Sequence, residues 1–112
     1  MLLSHLDFLK HIADEIDFIL SQTKNKSQKE VFDNNVLSRA IVRSFEIIGE
    51  ATKKLNQDFK LLHPQVQWKS MAGTRDRLIH HYFGVDYDIV WDIIKNELPE
   101  LQFQINSILK QQ

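Results

Sequence analysis

Arg75, His80 and Tyr82 fall within eight residues of one another, in the stretch Gly73-Thr74-Arg75-Asp76-Arg77-Leu78-Ile79-His80-His81-Tyr82-Phe83-Gly84. An arginine keeps its charge at any working pH, a histidine takes or gives a proton near neutrality, and a phenol offers a hydroxyl. Such a set can bind a phosphate and move a proton beside it without a metal. Asp76 and His80 are four apart and would meet on a helix, where a carboxylate can fix an imidazole's tautomer and favour its protonated form. The same residues also fit a plain surface lattice of ion pairs, with Tyr82 and Phe83 as core residues at a helix end.

The elements that must position these residues read as helical. The chain has 112 residues, three Gly, two Pro and 43% hydrophobic residues, with no sustained apolar/polar alternation. One domain over residues 1–112 is expected. Leu2, Leu6, Leu9, Ile12, Ile16, Ile19 and Leu20 recur at helical spacing and predict a first helix over about 2–21. Residues 22–29 read as a polar loop. A second helix starts near Asp33 or Asn34, both good caps, and stops before Pro64. Its stripe holds Leu37, Ile41, Ile48, Leu55 and Leu62. A short turn of helix should hold Trp68 and Met71.

The motif helix is then expected over about 74–83, with Thr74 as a candidate cap and Gly84 as its end. Asp86 or Asp88 caps the next helix, and Pro99 starts the last one. The predicted architecture is all-α, an antiparallel bundle of four main helices plus a short extra one. On an ideal helix Arg75 and Tyr82 lie within about 20° of each other, whereas Arg75 and His80 stand about 140° apart. Either the arginine reaches round, or the helix is distorted near Gly84, or a second copy of the chain completes the site.

Composition narrows the function classes. With no cysteine there is no disulfide framework, thiolate metal site or thiol nucleophile, which fits a reducing cytoplasm. No apolar run approaches the length that spans a bilayer, and the first residues show no basic leader. His5, His11 and His63 are scattered and have no ligand spacing, so no metal or other cofactor is expected. The net charge is −1, yet it is unevenly spread. Residues 38–82 hold eight cationic against four anionic side chains, and residues 83–112 hold two against five. Arg39, Arg43, Glu46 and Glu50 read as an intrahelical ion-pair network. Gly49, in mid-helix, reads as a place where another helix approaches closely. Trp68 and Trp91 read as core.

Arg75-x4-His80-x-Tyr82 resembles the signature of the HEPN superfamily, in particular its HepT-like branch. Ile48-Gly49-Glu50-Ala51 is similar to a segment of that branch. Pro64 and Trp68 stand at the corresponding distance before the motif, and Tyr82-Phe83-Gly84-Val85-Asp86 continues into Val90-Trp91 in the same order. The likeness runs from the first helix to Leu98-Pro99.

The resemblance implies a helical bundle that forms a homodimer and brings two motifs together along a cleft. It implies a metal-independent endoribonuclease toxin of a type VII-like toxin–antitoxin pair, with RNA as substrate. An MNT-type nucleotidyltransferase antitoxin would attach AMP to the motif tyrosine. On this chain the catalytic residues would be Arg75 and His80, the supporting residue Asp76, and the modified residue Tyr82. The resemblance assigns His81 no role. Two other readings stay open: a non-catalytic accessory subunit of the same fold that binds nucleotide or docks the transferase, and a plain helical interaction protein.

Overall fold

The computed structural model describes residues 4–80 and 84–111. Among these, the elements in chain order are α1 (His5–Thr23), α2 (Gln28–Phe32), α3 (Asn35–Lys54), α4 (Gln57–Leu62), α5 (Trp68–Ala72) and α6 (Thr74–Leu78). They continue with β1 (Ile79–His80), β2 (Gly84–Val85), α7 (Tyr87–Asn96) and α8 (Leu98–Lys110). The fold is all-α, as the residue pattern predicts. No helix is long and apolar enough to cross a membrane among the described residues.

The core forms where apolar stripes of three long helices meet. α1 lies along α3 and, less extensively, along α8. Leu9, Ile12, Ile16 and Ile19 of α1 are essentially inaccessible to solvent, as are Ile41, Phe45 and Ile48 of α3 and Ile105 and Ile108 of α8. Val90, Ile93 and Ile94 of α7 close the other side. Removing this area from water is the main stabilising term for so small a chain.

Side chains fix the helix starts. Ser4 accepts from the Asp7 amide while the Asp7 carboxylate accepts from the Ser4 amide, a capping box that satisfies two otherwise orphaned donors. Asn34, rather than Asp33, caps α3 by accepting from the amides of Val36 and Leu37. Asp86, rather than Asp88, caps α7. Pro99 sits in the first turn of α8, where its missing N–H costs nothing.

Three local expectations are corrected. The polar loop of residues 22–29 is shorter than predicted, because α1 runs to Thr23 and Ser27 and Glu30 form a second capping box that starts α2. The long second helix is two helices. Leu55 leaves helical backbone and is buried, and the Asn56 side chain accepts from the Phe59 amide to start α4 afresh. Leu62, predicted within the apolar stripe, is consequently 74% exposed. The motif helix ends at Leu78, five residues short of Phe83.

Candidate active site

α6 is a five-residue helix held by its neighbours rather than by its own length. A helix this short is unstable alone. Thr74 is its first residue and not its cap. The Thr74 hydroxyl donates to the Met71 carbonyl at 2.5 Å and so ties α6 back to α5. Leu78, 1% exposed, pins the other end in the core. Under α5, a Cβ added to Gly49 would lie 3.4 Å from the Met71 carbonyl oxygen and 3.5 Å from that of Ala72. The glycine expected to admit a close helix approach does so, and the backbone it meets is the one leading into the motif.

Beyond Leu78 the chain is extended. Ile79 has φ −105° and ψ 123°, and a two-residue antiparallel ladder pairs Ile79 with Val85 and His80 with Gly84. The Asp86 amide donates to the Leu78 carbonyl at 2.8 Å, which gives that carbonyl a partner outside the helix. Gly84 has φ +75°, a region L side chains rarely adopt. From Gly84 the chain runs antiparallel to β1 and is bonded to Leu78 through the Asp86 amide before α7 starts. His80 lies on β1 and not on a helix with Arg75, so the about 140° helical separation does not exist, nor does the helical four-residue meeting of Asp76 with His80.

Each residue predicted for the site has a distinct position. Arg75 and Asp76 are on α6 and exposed, and neither side chain has a hydrogen bond or ion pair among the described residues. His80 is placed by its backbone on β1; its side chain, and the whole of His81, Tyr82 and Phe83, lie outside the described residues.

Arg77 has a role that its sequence position did not disclose. Its guanidinium makes a two-pronged ion pair with Glu97, at 2.6 and 3.1 Å, and donates to the Ser70 hydroxyl at 2.8 Å. This clamp holds α6 against α5 and the junction of α7 with α8. Arg77 and Glu97 are 20 residues apart, so no local spacing links them. Arg77 and Thr74 also face a cleft of about 280 Å³ floored by Phe45, Ile48 and Met71; Arg75 does not line it. Among the described residues no three His, Asp or Glu side chains group as metal ligands would.

Comparison with known proteins identifies the family. A family model described as "Ribonuclease HepT-like" matches residues 12–108, from within α1 to within α8. A "Putative RNase" of Caldanaerobacter subterraneus subsp. tengcongensis is 47% identical over 105 residues, covering 94% of each chain. A "Putative RNase" of Methanocaldococcus jannaschii is 44% identical over 104 residues, 93% of this chain and 83% of its own. A "Probable ribonuclease HepT" of Thermococcus cleftensis is 39% identical over 107 residues, 96% of this chain and 97% of its own. No solved structure matches the chain significantly. With the match spanning nearly the whole bundle, the chain belongs to the ribonuclease HepT-like family.

Proposed function

We propose that this protein is a metal-independent endoribonuclease that cuts RNA through the ribose 2′-hydroxyl. The observation that carries the reading is the contrast on α6: Arg77 is consumed by Glu97, whereas Arg75 is exposed and unpaired among the described residues, five positions before His80. A guanidinium free of protein partners can take a phosphate with two parallel hydrogen bonds and stabilise charge growing on its oxygens. His80 takes the 2′-hydroxyl proton as the 2′-oxygen bonds to phosphorus. The P–O5′ bond then breaks, and the leaving 5′-oxygen receives a proton from a second imidazole, leaving a 2′,3′-cyclic phosphate. The His80 of a second copy supplies that proton in a homodimer. Ile79, beside His80 and 37% exposed, offers apolar surface for such a contact. DNA has no 2′-hydroxyl and is not a substrate.

The protein is further proposed to be the toxin of a toxin–antitoxin pair in the cytoplasm, silenced by an MNT-type nucleotidyltransferase that adds AMP to Tyr82. A phosphodiester at Tyr82 would add negative charge to the motif and so weaken its hold on RNA phosphate. Asp76 is proposed to support the pair electrostatically.

The test is cleavage of labelled single-stranded RNA in excess EDTA by protein whose Tyr82 is unmodified by mass spectrometry. Cleavage by the parent with a 2′,3′-cyclic phosphate end, and none by folded His80→Ala, is the expected result. Cleavage that requires a divalent cation, or none by the parent, overturns it and returns the fold to an accessory role.

A further inference from the structure

A groove of about 510 Å³ runs between α4 and α5, on chain that the proposed chemistry does not use. Its charged lining residues are Lys60 and Lys69; no carboxylate lines it. From Lys53 to Lys69 the chain carries four lysines against one acid, Asp58, which is not among the lining residues. Leu61, 67% exposed, and Pro64, also exposed, form an apolar rim, and Gln57 and Gln67 add exposed amides. Val66 and Trp68 make a rigid floor: both are buried, and the Trp68 indole N–H donates to the His63 carbonyl at 2.9 Å.

The lining also comes close to the motif. Ala72, its last residue in sequence, precedes Arg75 by three residues, so their Cα atoms are within about 11 Å of each other. Lysines on an otherwise uncharged lining suit a phosphate backbone. Exposed aliphatic and amide groups suit the faces and edges of unpaired bases, and the groove contains no fixed pattern that would read a sequence.

We propose that the α4–α5 groove binds the single-stranded RNA that flanks the scissile phosphate, with Lys60 and Lys69 on successive backbone phosphates. The assignment rests on the ribonuclease reading for its substrate, but its test does not need cleavage.

Binding of a labelled 12-nucleotide 2′-O-methyl RNA, which cannot be cut through its 2′-position, is measured by fluorescence anisotropy across a salt series. K60Q/K69Q should bind about tenfold more weakly. Its log affinity against log salt should be shallower by about 1.4, since each single-strand phosphate contact contributes about 0.7. K24Q/K26Q removes the same charge from the exposed α1–α2 loop and should change affinity less than about twofold. Photo-crosslinks from 4-thiouridine in the same RNA should map to residues 57–72.

Equal losses in the two double variants, an unchanged salt slope, or crosslinks confined elsewhere would overturn the proposal. So would displacement of the RNA by polyglutamate at equal charge, which would assign the groove to an acidic polypeptide. The two readings fail separately: a parent that binds this RNA through the groove but cuts none overturns the ribonuclease reading alone, and a parent that cuts RNA while K60Q/K69Q binds it as tightly as K24Q/K26Q overturns the groove alone.

Discussion

Arg75 and Arg77 are two residues apart on the same short helix, and their surroundings are opposite. The cleft face of α6 carries Arg77, whose five-donor fork is matched to a carboxylate 20 residues away and a serine hydroxyl. The solvent face carries Arg75 and Asp76, which have no partner among the described residues. A guanidinium already paired with a carboxylate has less to offer a substrate than one without a partner, which keeps its capacity for a phosphate. The arginine proposed for catalysis is the one with no side-chain partner among the described residues. The bound one makes the platform on which it stands.

The widest break in this comparison comes from removing the free side. Arg75→Ala or His80→Ala should lower RNA cleavage by about a hundred- to a thousandfold, the usual cost of losing a transition-state donor or a proton-transfer group. Thermal melts of Arg75→Ala should stay within about 0.5 kcal/mol of the parent, as for surface changes that remove no contact. A stability loss in Arg75→Ala as large as that of Arg77→Ala would erase the distinction between the two faces.

The clamp should show the reverse. Arg77→Ala and Glu97→Gln should each cost about 1 kcal/mol by denaturant unfolding, because a charged hydrogen-bonded pair is broken whose side chains are 35% and 41% exposed. A double-mutant cycle should return a coupling of about 1 kcal/mol. Cleavage by the folded fraction should fall far less than in Arg75→Ala. Additive single losses would mean the pair is spectators on the surface and α6 is held by Leu78 and Thr74 alone.

Much of the scaffold was legible in the residues, and the site much less so. The stripe of Leu9, Ile12, Ile16 and Ile19 reports α1 because its helical period follows directly from burying one face. Asn34, Asp86 and Pro99 mark helix starts through chemistry confined to three or four residues. The pair Ser27 and Glu30 carries the same signal, obscured by the polar run around it. Helix ends set by distant partners are another matter. Nothing near Leu78 breaks the helical pattern; its carbonyl is taken by the Asp86 amide, and Ile79 and His80 pair with residues beyond the turn. The Arg77–Glu97 pair is invisible for the same reason. Thus the types of the site residues could be read, while their relative placement could not.

Gly84 sharpens the division between platform and chemistry. With φ +75° and no atom of the described residues within 4 Å of an added Cβ, Gly84→Ala should carry the conformational cost of the left-handed region, about 1–2 kcal/mol. Gly84→Asn should lose less, since asparagine visits that region more readily. Because Gly84 is the ladder partner of His80, cleavage should follow the same rank, parent above Asn above Ala. Equal stability for Ala and Asn would show that the turn relaxes and that His80 does not depend on it.

The smallest effect lies at the start of α1, far from the motif in sequence. The backbone and side-chain hydrogen bonds of Ser4 hold the Asp7 carboxyl below its ordinary value of 3.8. A group whose folded-state pKa is depressed stabilises the fold above its unfolded pKa, and that contribution is lost as pH falls through the folded value. Asp7→Asn should therefore lower the melting temperature slightly at pH 7, and the gap should narrow as pH drops below about 3.8 toward full protonation. The side chain is at the surface, so added salt should weaken only the charge-dependent part of this effect. Cleavage should not change at all, because the platform that carries Arg75 is tied to α5, α7 and α8 and makes no use of this cap. A cleavage rate that fell with Asp7→Asn would mean that α1 reaches the site through α3, and that scaffold and chemistry are less separate than the two faces of α6 make them.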